Sequence, residues 1–251
     1  MGEPGPRPRR CGAGRAEPLR NISFLALAVA SFGSQPARAQ VSGSVTVASD
    51  NQLRGRSVSS GRPAVSLALA YDESGGFYVD GAATASWTHS DSIALIGGAI
   101  DAGYAWRTGG GVAIDVGVAR QQFTRYFSGG QSSGYSEVYV GVARRDLSAR
   151  LSYSPDYFAR NSHALYLSLD RAIRLSDAWR VTAHVGAIAY MSPLRVNGLR
   201  SIEYDYAIGV ARRWNLLEIR LGASSGGPDP DYYGQQPHRK TRLAISGTFV
   251  F

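Results

Sequence analysis

Arg242-Leu243-Ala244-Ile245-Ser246-Gly247-Thr248-Phe249-Val250-Phe251 ends the chain. Leu243, Ile245, Phe249 and Phe251 fall on one side of an extended backbone, and Arg242, Ala244, Ser246 and Thr248 on the other. Alternation with period two marks a strand whose faces meet different surroundings. Further back, Ile202, Tyr204, Tyr206, Ile208 and Val210 oppose Glu203, Asp205, Ala207 and Gly209. Val112, Ile114, Val116 and Val118 oppose Asp115 and Gly117, and Leu165, Leu167 and Leu169 oppose Tyr166, Ser168 and Asp170.

Between these segments the connections come in two kinds. A short set, 72–75, 108–110, 144–146, 176–178 and 213–215, alternates with a longer, looser one, 50–62, 87–92, 124–133, 155–161, 191–200 and 225–238. Every proline after residue 40 lies in or beside the long set, as expected of residues that cannot donate to a strand ladder. Five short and six long connections predict about twelve strands with both chain ends on the short-turn side, the asymmetry of outer-membrane barrels. The expected fold is therefore all-β: a transmembrane antiparallel up-and-down β-barrel over residues 40–251. Hydrocarbon offers no partner to a bare N–H or C=O, so such a sheet must close. Tyr71, Trp87, Tyr104, Trp106, Tyr153, Trp179, Tyr190 and Trp214, near predicted strand ends, are candidates for interfacial girdles.

Residues 1–39 read as a cleaved signal peptide. Arginines up to Arg20 precede an uncharged stretch with an apolar heart at 22–32, and Ala37-Arg38-Ala39 offers the small residues that signal peptidase needs, with cleavage before Gln40. That apolar run is too short to span a bilayer, which takes about 20 residues. Six arginines against two acids there carry half of the net charge of +8, so the rest of the chain has an ordinary mixed surface and no stripe for nucleic acid. Cys11, the single cysteine, lies in the leader, which excludes thiol catalysis, disulfides and thiolate metal sites in the mature chain.

Several segments, taken in order, resemble one known family. They are Arg54-Gly55-Arg56-Ser57 with Pro63-Ala64, Gly76-Phe77-Tyr78-Val79, Glu137-Val138-Tyr139-Val140-Gly141, and Leu151-Ser152-Tyr153-Ser154-Pro155-Asp156-Tyr157-Phe158. Thr182-Ala183-His184-Val185-Gly186 and Tyr204-Asp205-Tyr206 with Ile208-Gly209-Val210 complete the set. Together they resemble the TorF family of outer-membrane porins over essentially all of the mature chain. The family's usual aromatic pair near the first loop is replaced here by Asn51 and Leu53. The resemblance implies a barrel and residence in the outer membrane.

Projecting the alternation inward predicts a lumen lined by Asp80, Asp101, Asp115, Glu137, Arg150, Asp170, Arg180, His184, Glu203, Asp205, Glu218, Arg220 and Arg242. Facing lipid, a midplane Arg or Lys costs about 2–4 kcal/mol, so these side chains must face water or one another. Two consequences compete: a narrow pore for small polar solutes, or opposite charges pairing across the lumen and closing it. Barrel width grows with strand number, and about twelve strands lie between the filled eight-stranded and the open sixteen-stranded cases. The second function class is a closed structural or surface-display barrel, with Tyr232-Tyr233 and the 226–237 segment as its exposed feature. A barrel enzyme needs an activated serine or a paired acid and base; His89, His163 and His238 lie at predicted loops, and His184 in the lumen belongs to no catalytic motif. No phosphate loop or metal-ligand spacing appears, and no cofactor is expected. The expected partners are outer-membrane lipid, small polar solutes and the barrel assembly machinery, for which Phe249 and Phe251 resemble the usual C-terminal signal.

Overall fold

In the computed structural model of the chain, the described residues are 40–87, 92–124, 133–191, 202–227 and 241–251. The predicted leader lies outside them, as do most of the predicted loops 124–133, 191–200 and 225–238, with His89, His238 and Tyr232-Tyr233.

Each alternating segment is a strand. In chain order they are β1 (Gln40–Ala48), β2 (Gln52–Leu53), β3 (Arg56–Ser57), β4 (Ala64–Asp72), β5 (Phe77–Trp87), β6 (Ile93–Arg107), β7 (Ala113–Phe123), β8 (Ser133–Arg144), β9 (Leu147–Ser154), β10 (Ala164–Arg174), β11 (Trp179–Tyr190), β12 (Ile202–Trp214), β13 (Leu217–Gly226) and β14 (Arg242–Val250). Twelve of them, all but β2 and β3, form one closed antiparallel barrel in sequence order. Val112 sits in the turn before β7 rather than on the strand. Closure is made by β1 against β14, where Gly43 and Phe251 exchange both backbone hydrogen bonds at 2.9 Å and the Thr46 and Thr248 hydroxyls meet at 2.9 Å.

The barrel is inverted relative to a water-soluble protein: its outer face carries the apolar side chains. Leu69 is 52% exposed, Val118 55%, Val138 53%, Leu221 53% and Ile245 54%, an apolar belt that runs from strand to strand. A surface of that extent has no place in water. With every strand paired on both sides, the sheet meets the condition for lying in hydrocarbon. No helix among the described residues is long and apolar enough to cross a membrane; strands make the crossing. Trp106, Trp179 and Trp214 lie exposed near the short turns and Trp87 near the opposite rim, where indole rings suit the interface. Phe251 is exposed on the same outer face, its ring lying against Gly43, where any Cβ would sit 2.5 Å from it.

Two readings of the sequence are corrected. Tyr190 is no girdle residue: it points inward, is buried, and packs 6.1 Å from Tyr157. Tyr153, by contrast, keeps to the outer face beside Val138, partly exposed, with its hydroxyl tied to His163 Nδ1 at 2.7 Å. The first long connection, 50–62, is not a loose loop. It carries the β2–β3 hairpin, and Leu53, Arg54, Arg56, Val58 and Ser59 are all buried inside the barrel. An irregularity of register after Thr84 leaves Ile96 as the extra residue of β6; the parity of that strand reverses there, and Ile96 turns inward.

Candidate functional site

Inside the belt the side chains are small, polar or charged, and they enclose a cavity of about 350 Å³. One wall is built by β5 to β9. Tyr78 donates to Asp115 Oδ1 at 2.6 Å and Tyr139 to Asp101 Oδ1 at 2.5 Å. These rings can lie flat against the sheet because glycine stands beneath them. A Cβ at Gly103 would come within 2.5 Å of the Tyr78 hydroxyl, and Gly117 leaves the same room for Tyr139. Arg150 donates to Asp115 Oδ2 at 2.9 Å, lies 3.8 Å from Asp101, and covers the Tyr139 ring at 4.0 Å. Asp80 is buried beside its cross-strand partner Asp101.

The other wall belongs to β10 to β13. His184 bridges two carboxylates, with Nδ1 2.7 Å from Asp170 and Nε2 2.8 Å from Asp205. Tyr166 also donates to Asp205, at 3.1 Å, over Gly186. Arg180 donates to both oxygens of Glu218, at 2.6 and 2.8 Å, and Arg220 donates to Thr182 at 3.0 Å. At the short-turn mouth Asp146 accepts from Arg171 at 3.0 Å, and that hydrogen bond holds its carboxyl below the ordinary range.

The hairpin closes the third side. Its two-residue turn is Arg54-Gly55 with φ of 47° and 76°, both left-handed, which glycine adopts freely and arginine only at a cost of about 1–2 kcal/mol. At its root the Asp50 carboxylate accepts from Ser57, from Ser59 at 2.9 Å and from the Gly61 amide at 3.2 Å. Gln52 meets Ser224 on β13. The tip reaches β8, on the far side of the barrel from β1, where Arg54 Nη2 donates to Glu137 Oε1 at 2.5 Å. The guanidinium also lies over three rings, 4.0 Å from the centroid of Tyr166, 5.3 Å from Tyr135 and 5.4 Å from Tyr157. Leu53 and Val58 join Phe123, Tyr135, Tyr157, Ile188 and Tyr190 in an apolar cluster at the long-loop end.

Asp80, Asp101, Glu137, Arg150, Asp170, His184, Asp205 and Arg220 thus border one cavity. Asp115 stands behind Arg150, and Arg180 and Glu218 hold each other on the second wall. Arg242 lies 3.9 Å from Asp50 beside the hairpin root, and Glu203 is partly exposed at the loop end of β12, on the face of Asp205. Opposite charges pair mainly along each wall, and the cavity stays between them. Arg54 and its tyrosines were not among the expected site residues. Their partners are far away in sequence, Arg54 and Glu137 being 83 positions apart, and no local period reports such a contact. Among the described residues no cluster of acids, histidines or cysteines is arranged to hold a metal ion.

A family model described as "Bacterial protein of unknown function (Gcw_chp)" matches residues 33–224. The chain belongs to that family. No curated relative matches the sequence. Among solved structures this family member is similar to the KdgM porin, at 14% identity and a TM-score of 0.50 over 84% of this chain and 99% of that one. It is similar also to the NanC porin, at 9% identity and a TM-score of 0.52 over 84% and 99% of the two chains. An outer-membrane channel from Pseudomonas putida F1 is similar at 10% identity, with a TM-score of 0.50 over 90% and 100%. At such identities the likeness is one of fold.

Proposed function

We propose that this barrel is an outer-membrane porin that lets small polar solutes pass through a bore narrowed by its own first loop. The observation that carries this reading is the polar cavity held open inside a lipid-facing belt. The family resemblance to the TorF porins and the fold shared with KdgM and NanC support it; one KdgM structure is described as a complex with disordered oligogalacturonate. The mature protein begins at Gln40, where β1 starts, after removal of the leader.

The residues that line or border the lumen set its preference. The thirteen read as inward comprise eight carboxylates, four arginines and His184, and the hairpin adds Asp50 against Arg54 and Arg56, so these carboxylates outnumber these arginines by nine to six and the lumen favours cations. Asp80→Asn with Asp101→Asn is expected to lower the cation-to-anion permeability ratio. A unit charge about 7 Å from a passing ion in a water-like medium contributes about 0.6 kcal/mol, or about threefold per carboxylate. The measurement is the zero-current potential of the refolded protein in planar bilayers across a salt gradient. Ohmic current with an unchanged ratio would refute the role of these carboxylates. Silence at high protein load would favour the closed-lumen structural barrel.

Phe249 and Phe251 form the terminal signal for the assembly machinery. A strand edge with an apolar face can be captured by strand addition, and β14 ends in such a face. Deleting Phe251 is expected to reduce surface levels in cells far more than it slows refolding into detergent. Normal surface levels would overturn the signal role while leaving the barrel intact.

A further inference from the structure

We infer that the tyrosine cage around Arg54 is a binding site for guanidinium-bearing solutes, occupied in this conformation by the chain's own arginine as a tethered stand-in. Flat, weakly hydrated organic cations bind over aromatic faces within about 6 Å of the ring centroid. Tyr166, Tyr135 and Tyr157 all meet that distance around one carbon, and Glu137 supplies the counter-charge at 2.5 Å.

The cage does not need Arg54 to hold its shape. Tyr135 packs on Tyr157 at 4.8 Å, Tyr157 meets Phe158 edge-on at 4.9 Å, and Phe158 stacks on Phe123 at 5.5 Å. Tyr135 and Tyr166 stand on barrel strands, as does Glu137. The rings are therefore preorganised, which spares a ligand the ordering cost. The site is also reachable: Tyr166, Glu137 and Arg54 all border the inner cavity.

The resident occupant fits incompletely. Nε and Nη1 of Arg54 are buried with no acceptor among the described residues, and only Nη2 is bonded. Its backbone is left-handed. A free guanidinium carries neither the backbone strain nor the fixed stem, so it can turn its donors toward Glu137 and the Tyr135 hydroxyl, which has no hydrogen-bond partner among the described residues. A tethered competitor lowers the apparent affinity of a free one by the fraction of time the seat is empty. A solute that takes the seat also releases the hairpin tip from the far wall. That consequence for current rests on the porin reading, whereas binding does not.

The test uses the full barrel in detergent, titrated with guanidinium chloride at low millimolar concentration and read by tyrosine fluorescence and by the line width of the guanidinium signal. Arg54→Ala is expected to bind saturably, at least about tenfold more tightly than the wild type. Arg54→Ala with Glu137→Gln is expected to lose at least that factor. Arg54→Gln, which keeps the length of the side chain, is the second variant if the alanine barrel misfolds; the difference in gel migration between boiled and unboiled samples reports folding. Ammonium, compact and strongly hydrated, should not compete. Equal binding by the wild type and a folded Arg54 variant, or no saturable binding by that variant, would overturn the assignment. Binding without any change in bilayer current would leave the site standing and would count against the channel reading alone.

Discussion

Glu137→Gln is expected to turn a steady current through the barrel into one that alternates between two levels. The Glu137 carboxylate is the counter-charge of Arg54, whose side chain is 4% exposed among three tyrosine rings. Removing one partner of a buried pair costs about 3–5 kcal/mol, because the other charge stays behind without compensation. The released hairpin recovers that cost by placing Arg54 in lumenal water. Leu53 and Val58 oppose the release, since each is fully buried and re-exposing such a side chain costs about 1.5–3 kcal/mol. The opposing quantities are similar, so the seated and released states should both be populated. Because the hairpin spans the bore from β1 to β8, the released state carries the larger current. Leu53→Ser added to Glu137→Gln should hold the higher level continuously. Single-channel recording decides the matter: one unchanged level in both variants would mean that the hairpin does not limit the bore.

Ala83→Arg is expected to destabilise the barrel in vesicles, and Ala82→Arg to leave it close to wild-type stability. The two alanines are neighbours near the middle of β5 and point to opposite faces, Ala83 exposed on the belt and Ala82 bordering the cavity. An arginine facing lipid at the midplane costs about 2–4 kcal/mol, a loss of roughly 30- to 1,000-fold in the folded population. Inside, the same side chain meets water and the carboxylates of Asp80 and Asp101, and the cation preference should fall. Refolded yield and the urea midpoint in vesicles measure the difference. The reverse outcome, loss in Ala82→Arg and tolerance in Ala83→Arg, would mean that the faces of β5 are misassigned, since a slip of one residue exchanges them.

The belt was legible because its signal is local. Leu243 and Ile245 declare their face against Ala244 and Ser246 without reference to any other segment, and the short turns punctuate the strands they join. The inward charged residues followed from the same parity. What local order could not convey was the inserted hairpin: nothing near Arg54 names Glu137 or Tyr166, and an arginine-glycine turn in the polar, serine-rich stretch 49–60 looks like a solvated loop. Tyr190 failed for a related reason. At a strand end an aromatic ring is equally at home in an interfacial girdle or in an inner cluster, and only the ring of Tyr157, brought in by the connection between β9 and β10, decides for the second. Ile96 shows the remaining limit, because one extra residue in β6 reversed a parity that simple alternation would have carried through.

The seam between β1 and β14 has a consequence for how the barrel forms. Every other neighbouring pair joins strands that follow one another along the chain, with only the β2–β3 hairpin set between β1 and β4, whereas the Thr46–Thr248 bond joins residues 202 positions apart, against 18 for the Ser66–Thr84 bond between β4 and β5. Closing the longer loop costs about 2 kcal/mol more chain entropy. The hairpins can zip progressively, each on the edge left by the last, and a single remote encounter remains. Until it occurs, β1 and β14 present bare ladders open to a second chain. The rate of that one encounter, rather than the stability of any wall, sets the interval in which the protein is exposed to misassembly.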